Sequence, residues 1–324
     1  MEQNVNMPSN KRSSVYAVLV TWNPDLSRLA EVLRALSPQV SGIVAVDNGS
    51  TNRDNLSAFI NTVGGVEFIG LMENLGLGAA LNIGIQHARF SAPTWILTLD
   101  QDTVIFESAI EDILESYLGL GKQVRDSCGL LALRAQIPPS TNWFTSYSKR
   151  VMVVEDLGSF VEKLAVITSG NLIRADLVEQ VHFNESFFID QVDFDFCLSL
   201  RQHGYRVIEQ KRVSMDHRLG ERITGARRSH PYENAERLYY IVRNSTFLVL
   251  RGRLPVRYYF VQIIVWSGAY VSTNGGGSLV HCAMVILRGT FDGALSRLGR
   301  REYRVLYKGR RPSRPVSKSG RDAE

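Results

Sequence analysis

Short apolar runs alternate with amphipathic stretches along the first third of the chain. Val15-Tyr16-Ala17-Val18-Leu19-Val20 is nearly continuous in apolar character, the pattern of a strand buried on both faces. Leu26, Leu29, Val32, Leu33 and Leu36 then recur at helical spacing, which predicts a helix over Leu26–Leu36, opened by Pro24 and Asp25 and ended by Ser37-Pro38. Gly42-Ile43-Val44-Ala45-Val46 predicts a second strand. Strand, helix and strand within about thirty residues make a βαβ unit and imply a parallel sheet with a right-handed crossover. The same pattern continues with a helix over Asn55–Thr62, strands over Val66–Ile69 and Trp95–Leu99, and an amphipathic helix over Glu107–Leu118.

Later stretches are less regular. Gln136 to Val151 reads as a loop lying over the strand ends. Leu164–Ile173 reads as an apolar strand ending in Ser169-Gly170-Asn171. Phe187 to Leu200 begins as a loop and becomes a helix through His203, and Arg206-Val207-Ile208 begins a last short strand. Beyond Tyr232 the period becomes helical, over Glu233–Arg251, with Leu254-Pro255 as the break. Tyr258–Tyr270 is mostly apolar and aromatic, with Arg253 and Arg257 before it. It is too short to span a bilayer. It fits either a buried core helix or an interfacial helix with basic flanks. Asn274-Gly275-Gly276-Gly277 separates it from a second apolar segment, Leu279–Leu287. The chain divides into a polar tail (1–14), an α/β domain (15–230), a helical region that is a candidate for membrane association (231–295) and a basic tail (296–324).

Composition narrows this picture only slightly. The 324 residues, 44% hydrophobic and 21% charged, suit one large α/β domain with appendages. The net charge of +5 is modest, but Arg and Lys crowd the stretch from Arg297 onward, which suits an anionic surface or a solvated tail. Cys128, Cys197 and Cys282 are far apart and form neither a disulfide framework nor a zinc pattern. No signal peptide is visible, so a cytoplasmic protein is expected.

Chemistry concentrates at the strand ends. Trp95-Ile96-Leu97-Thr98-Leu99 closes on Asp100-Gln101-Asp102-Thr103, two carboxylates with one residue between them. Ligands of open α/β sheets bind outside the carboxyl ends of the strands. Hard oxygen ligands suit Mg²⁺ or Mn²⁺, and such a cation suits a diphosphate. A solvated Asp turn is the competing reading. Asp47-Asn48-Gly49-Ser50-Thr51 also reads two ways. It is an Asn-Gly turn with Ser50 or Thr51 as an N-cap, or a carboxylate for a pyrimidine N–H or ribose hydroxyls. The small residues within Glu73–Gly84 let a helix N-terminus approach a phosphate, although helix packing accounts for part of that run. Asp190, Asp193 and Asp195 cannot all share one helix face, which leaves one to face a pocket while another caps or pairs.

Thr21-Trp22-Asn23-Pro24, Asp47-Asn48-Gly49-Ser50, Glu73-Asn74-Leu75-Gly76 with Asn82-Ile83-Gly84, Asp100-Gln101-Asp102, Ser169-Gly170-Asn171, Phe187 through Cys197 and His217 succeed one another in order. In that order and spacing they resemble the family 2 glycosyltransferases over roughly residues 15–220. The D-Q-D followed by Thr, and F-F-I-D-x-V-D before a C-L helix, are most similar to bacterial rhamnosyltransferases. The resemblance implies a GT-A type nucleotide-binding sheet, so that 15–230 is the catalytic domain. It places Thr21, Asn23, Asp47, Asn48, Ser50, Asn74, Gly76, Asn82, Asp100 and Gln101 at the donor. By the same resemblance Asp102 binds Mg²⁺ or Mn²⁺, His217 completes that metal site, and Asp193 is the general base with Asp190 as a nearby second acid. The family's usual Glu-Asp reads Val192-Asp193 here.

The resemblance further implies an inverting, metal-dependent transfer of a sugar. The donor is expected to be dTDP-rhamnose and the acceptor a hydroxyl of a cell-surface glycan precursor on a lipid carrier. The place of work is the inner face of the cytoplasmic membrane, and no nucleic acid is a partner. In such a transfer one carboxylate takes the acceptor proton as the hydroxyl attacks an oxocarbenium-like centre. A metal-dependent nucleotidyltransferase acting on a sugar phosphate is the competing class. It calls for a Gly-rich basic loop after the first strand, where this chain has Thr21-Trp22-Asn23-Pro24.

Overall fold

The βαβ unit at the N-terminus forms as its pattern predicts and sets the register of a ten-stranded mixed sheet. The computed structural model describes residues 14–136, 152–217, 235–274 and 278–301, with the backbone of 222–224 and 227–229. In chain order the elements are β1 (Val15–Thr21), α1 (Leu26–Leu36), β2 (Gly42–Asp47), α2 (Arg53–Val63), β3 (Val66–Gly70), α3 (Leu77–Arg89), β4 (Trp95–Asp100), β5 (Thr103–Ile105), α4 (Ala109–Leu118), α5 (Lys122–Ser127) and β6 (Cys128–Gln136). Next come β7 (Val153–Leu157), β8 (Phe160–Lys163), β9 (Asn171–Arg174), α6 (Val192–Gln202), β10 (Arg206–His217), the hairpin β11 (Arg222–Thr224) and β12 (Arg227–Ser229), α7 (Ala235–Leu250), α8 (Val256–Asn274) and α9 (Leu279–Ala294).

The sheet runs β3-β2-β1-β4-β9-β6-β10-β8-β7, with β5 paired to β10 off this path. The first four strands are parallel, and β9 then inserts antiparallel to both β4 and β6. Alternate residues of each strand feed separate cores. Ala17 and Leu19 pack with α1, α2 and α4 on one face, whereas Val18 and Val20 pack with α3 and α6 on the other. Gly84 lets α3 press onto the sheet, because a Cβ there would collide with Val18 and Val46. A third cluster joins α7, α8 and α9 through Leu238, Tyr239, Val242, Tyr270, Cys282 and Val285.

Several elements depart from the sequence reading. Residues 164–170 form no strand. Only Asn171–Arg174 does, because Gly170 (φ +85°) turns the chain while its amide donates to the Thr98 carbonyl at 2.8 Å. The short strand at Arg206 extends over twelve residues to His217, kinked by register shifts against β6. Helix α2 is preceded by Asn52, not capped by Ser50 or Thr51, whose hydroxyls are turned to Asp47 and Asn23. The loop expected over Gln136–Val151 lies, beyond Gln136, outside the described residues.

The apolar segment at Tyr258–Tyr270 belongs to a longer helix, α8, which buries Tyr258, Gln262 and Tyr270. Among the described residues no helix is long and apolar enough to cross a membrane. Within the C-terminal helices the outward apolar surface comes mainly from α9, through Leu279, Val280, Met284, Leu287 and Phe291, with Phe260 and Ile264 of α8. Arg253 is turned inward onto Asp195 and donates to Ser199 Oγ at 2.7 Å, so it does not flank that surface.

Candidate active site

Strand pairing brings the distant acids and the histidine together. β4 delivers Asp100 at its carboxyl end, and the chain turns through Gln101 and Asp102 into β5. β5 then pairs antiparallel with the end of β10, in the register Thr103↔His217. Across 114 positions of sequence, the Thr103 hydroxyl and His217 Nδ1 lie 2.5 Å apart. Ligand atoms of Asp100, Asp102 and His217 all lie within 4.8 Å of one another. The motif resemblance assigned Asp100 to the donor alone, and the fold adds its carboxylate to this cluster.

The cluster is held from behind by groups that carry no motif of their own. The Asp100 amide donates to Ser169 Oγ at 3.0 Å, and Ser169 Oγ donates to Thr103 Oγ1 at 2.8 Å, which meets His217. Arg28 on α1 donates Nε to the Asp102 carbonyl at 2.9 Å and Nη2 to Asp216 Oδ2 at 3.0 Å. One side chain thus braces the backbone of Asp102 and the residue next to His217. In the sequence Arg28 looks like an ordinary polar-face residue of an amphipathic helix, and nothing there marks it.

Burial raises the Asp100 carboxyl to about 6, with His217 opposing the shift and Asp102 adding to it. Burial also raises Asp102, against the pull of His217 and Arg28. Two carboxylates and an imidazole so gathered form a donor set of oxygen and nitrogen, which fits a divalent cation such as Mg²⁺ or Mn²⁺. Such a cation would favour the charged form of both acids and so oppose the burial that raises them.

The other predicted residues form a cradle at the ends of β1, β2 and the start of α3. Asp47 is fully buried, accepts from Thr21 Oγ1 at 3.3 Å and from the Ser50 amide at 3.1 Å, and is also bonded by the Ser50 hydroxyl. The Asn23 amide donates to Ser50 Oγ at 2.7 Å. Asn48 Nδ2 donates to Asn74 Oδ1 at 3.1 Å, and the same oxygen accepts the Gly76 amide at 2.9 Å. Gln101 grips the Trp22 backbone, accepting its amide at 2.7 Å and donating to its carbonyl at 3.3 Å, which ties the β1 and β4 ends together. Asn82 stands apart. Its amide faces residues 183–185, donating to the Phe183 carbonyl and Glu185 Oε1 at 2.9 Å each.

The three later acids separate as the helix geometry requires. Asp190 accepts from Arg237 Nε at 3.1 Å, and Asp195 is paired with Arg253. Asp193, in the first turn of α6, accepts from the Phe194 amide at 2.9 Å and has no ion-pair partner among the described residues. Burial pushes its carboxyl up to about 7, and the nearby Asp190 and Asp100 charges add to the rise. That value suits a group that must take a proton near neutrality. Asp190 Oδ2 and Gln191 Oε1 are buried without a hydrogen-bond partner among the described residues.

Residues 16–125 match the family model described as Glycosyl transferase family 2. Over those residues the chain carries a family 2 glycosyltransferase domain. Over 280 residues it is 25% identical to the dTDP-rhamnosyl transferase RfbF of Shigella flexneri, covering 85% of this chain and 88% of that protein. Among solved structures it superimposes on GalNAc-T7 with UDP, GalNAc and Mn²⁺ at a TM-score of 0.54 and 15% identity, covering 78% of this chain and 54% of that one, about half its length. A mycobacterial protein matches at a TM-score of 0.50 and 14% identity, covering 76% and 77% of the two chains. The fold of this glycosyltransferase is of the GT-A type, with helices in its C-terminal region. It resembles the rhamnosyltransferases, as its motifs suggest.

Proposed function

We propose that this glycosyltransferase moves rhamnose from dTDP-rhamnose, with inversion, to a hydroxyl of a lipid-linked precursor of a cell-surface glycan. One observation carries the catalytic part. Asp193, a carboxylate raised to about 7 and without an ion-pair partner among the described residues, sits close enough to Asp100 for their charges to interact. Asp193 takes the acceptor proton as the hydroxyl attacks, and Asp190 is the second acid beside it. Asp102, His217 and Asp100 would hold the divalent cation, which supplies Lewis-acid stabilisation of the departing diphosphate. Thr21, Asn23, Asp47, Asn48, Ser50, Asn74 and Gly76 line the donor, with Gln101 holding that rim in shape.

The choice of donor rests on the Shigella relative and its name. The first turn after β1 holds no Gly-rich basic loop, which disfavours the nucleotidyltransferase alternative. In this reading residues 15–230 form the catalytic domain and residues 231–295 face the inner side of the cytoplasmic membrane through α9. Its outward residues Val280, Met284, Leu287 and Phe291 form an apolar stripe, and the sequence from Arg297 onward is basic. A screen of dTDP-, UDP- and GDP-sugars, reading nucleoside diphosphate release with and without Mg²⁺ or Mn²⁺, tests the assignment. Metal-dependent turnover of dTDP-rhamnose is expected. Turnover of only UDP- or GDP-sugars would refute the donor.

A further inference from the structure

The segment that presents Asp193 cannot hold its own shape. Phe188 (φ 63°), Asp190 (φ 58°) and Gln191 (φ 63°) are left-handed, and none is glycine. Such residues persist only where their surroundings over-determine them. Here the surroundings are two helices from opposite ends of the sequence. The Leu77 amide at the start of α3 donates to the Phe188 carbonyl at 2.7 Å. The remaining carbonyls are taken by two adjacent residues of α7. Asn244 Nδ2 reaches those of Asp190 at 2.8 Å, Ile189 at 3.0 Å and Phe187 at 3.2 Å. Arg243 Nη2 donates to the Phe187 carbonyl at 3.0 Å.

Arg243 is itself built in. It is fully buried, its guanidinium lies over the Tyr240 ring at 4.7 Å, Nε donates to Asn244 Oδ1 at 2.9 Å, and Nη1 donates to the Gly299 carbonyl at 2.7 Å. The guanidinium therefore orients the very amide that grips the loop. A planar fork with several fixed donors can do this, and a lysine cannot reproduce it. Each carbonyl from Phe187 to Asp190 is thus tied, and the chain leaves this clamp directly into the helix turn that bears Asp193.

We propose that Arg243 and Asn244 are positioning residues for the transfer step, fixing the left-handed loop from which Asp193 meets the acceptor. This rests on the reading of Asp193 as the base. It also makes the helical C-terminal region part of the catalytic unit and not a separable anchor.

The test compares Asn244→Ala and Arg243→Lys with Ser245→Ala in the full-length protein. Ser245 is buried on the same helix but donates to Gln262 Oε1 at 2.8 Å, towards α8 and away from the loop. The readouts are kcat and donor KM, with amide hydrogen exchange over residues 187–195. For Asn244→Ala the account predicts kcat lower by on the order of 10²-fold, donor KM within about twofold, and faster exchange confined to 187–195. Arg243→Lys, which keeps a donor, should show the same pattern with a smaller loss, and Ser245→Ala should leave kcat and loop exchange unchanged. Wild-type kcat or unaltered loop exchange in a folded Asn244→Ala or Arg243→Lys protein would overturn the proposal. So would equal losses from Ser245→Ala. Loop exchange that rises while kcat holds would overturn the positioning role though the clamp exists, and Asp193→Asn tests the base reading separately.

Discussion

The proposed donor half and the proposed base half of this enzyme are built by opposite rules. From β1 to β4 the chain repeats strand and helix, the strands pair in parallel, and each candidate donor residue but Asn82 stands at a strand end or in the turn after it. From β9 onward strand directions mix, the acidic loop adopts left-handed backbone, and its carbonyls are satisfied by a helix more than fifty residues away. Strand topology brings the first half of the site together, and short-range side-chain bonds such as Gln101 to Trp22 trim its rim. The second half is placed by specific side-chain hydrogen bonds, so single substitutions far from the acids should reach it.

The largest effect is expected where the halves meet at the cation cluster. Asp102→Ala should lower turnover on the order of 10³-fold and weaken donor affinity, and chelation of the wild type should do the same, since such a cation supplies several kcal/mol of charge stabilisation. Nucleoside diphosphate release with and without chelator measures this. A chelator-insensitive wild type would separate the cluster from catalysis.

Arg28 sharpens the comparison because it belongs to the donor half yet braces the Asp216–His217 end of β10. Arg28→Ala should weaken Mn²⁺ affinity by about 10–100-fold, the usual cost of losing a group that orients metal ligands. Calorimetric titration of the metal checks it, and unchanged affinity would leave Arg28 a merely structural link.

The smallest effect separates stability from activity within the base half. The Asp193 carboxyl is raised in the folded protein from 3.8 to about 7. The stability it lends is therefore full below the unfolded value and is lost as pH rises through about 7. Asp193→Asn should then match the wild type in thermal unfolding near pH 4 and exceed it at pH 8 by several °C, measured without divalent cations. A variant less stable at pH 8 would contradict the burial of an uncompensated charge.

Legibility in the sequence divided along the same line. The helix over Leu26–Leu36 and the strands around Asp47 and Asp100 were readable because periodicity and turn residues are local signals. The full extent of β10 was not, since polar and basic residues interrupt it at Gln210–Ser214 and pairing with β5, β6 and β8 keeps it extended. Residues 164–170 misled because buried apolar loop residues such as Ala165 and Val166 look like strand. Asp190, Asp193 and Asp195 were recognisable as a divided set, but Arg237 and Arg253, which divide them, carry no motif. Ser169 lies in a recognised motif, yet its link through Thr103 to His217 exists only after folding.

The most direct test of the account is turnover and donor affinity measured together for Asp193→Asn. The substitution keeps the shape of the side chain and removes its charge and its capacity to take a proton. The account predicts kcat lower by ~10²–10⁴-fold with donor affinity nearly unchanged. Near-normal kcat in that variant would contradict it and move the base to Asp190.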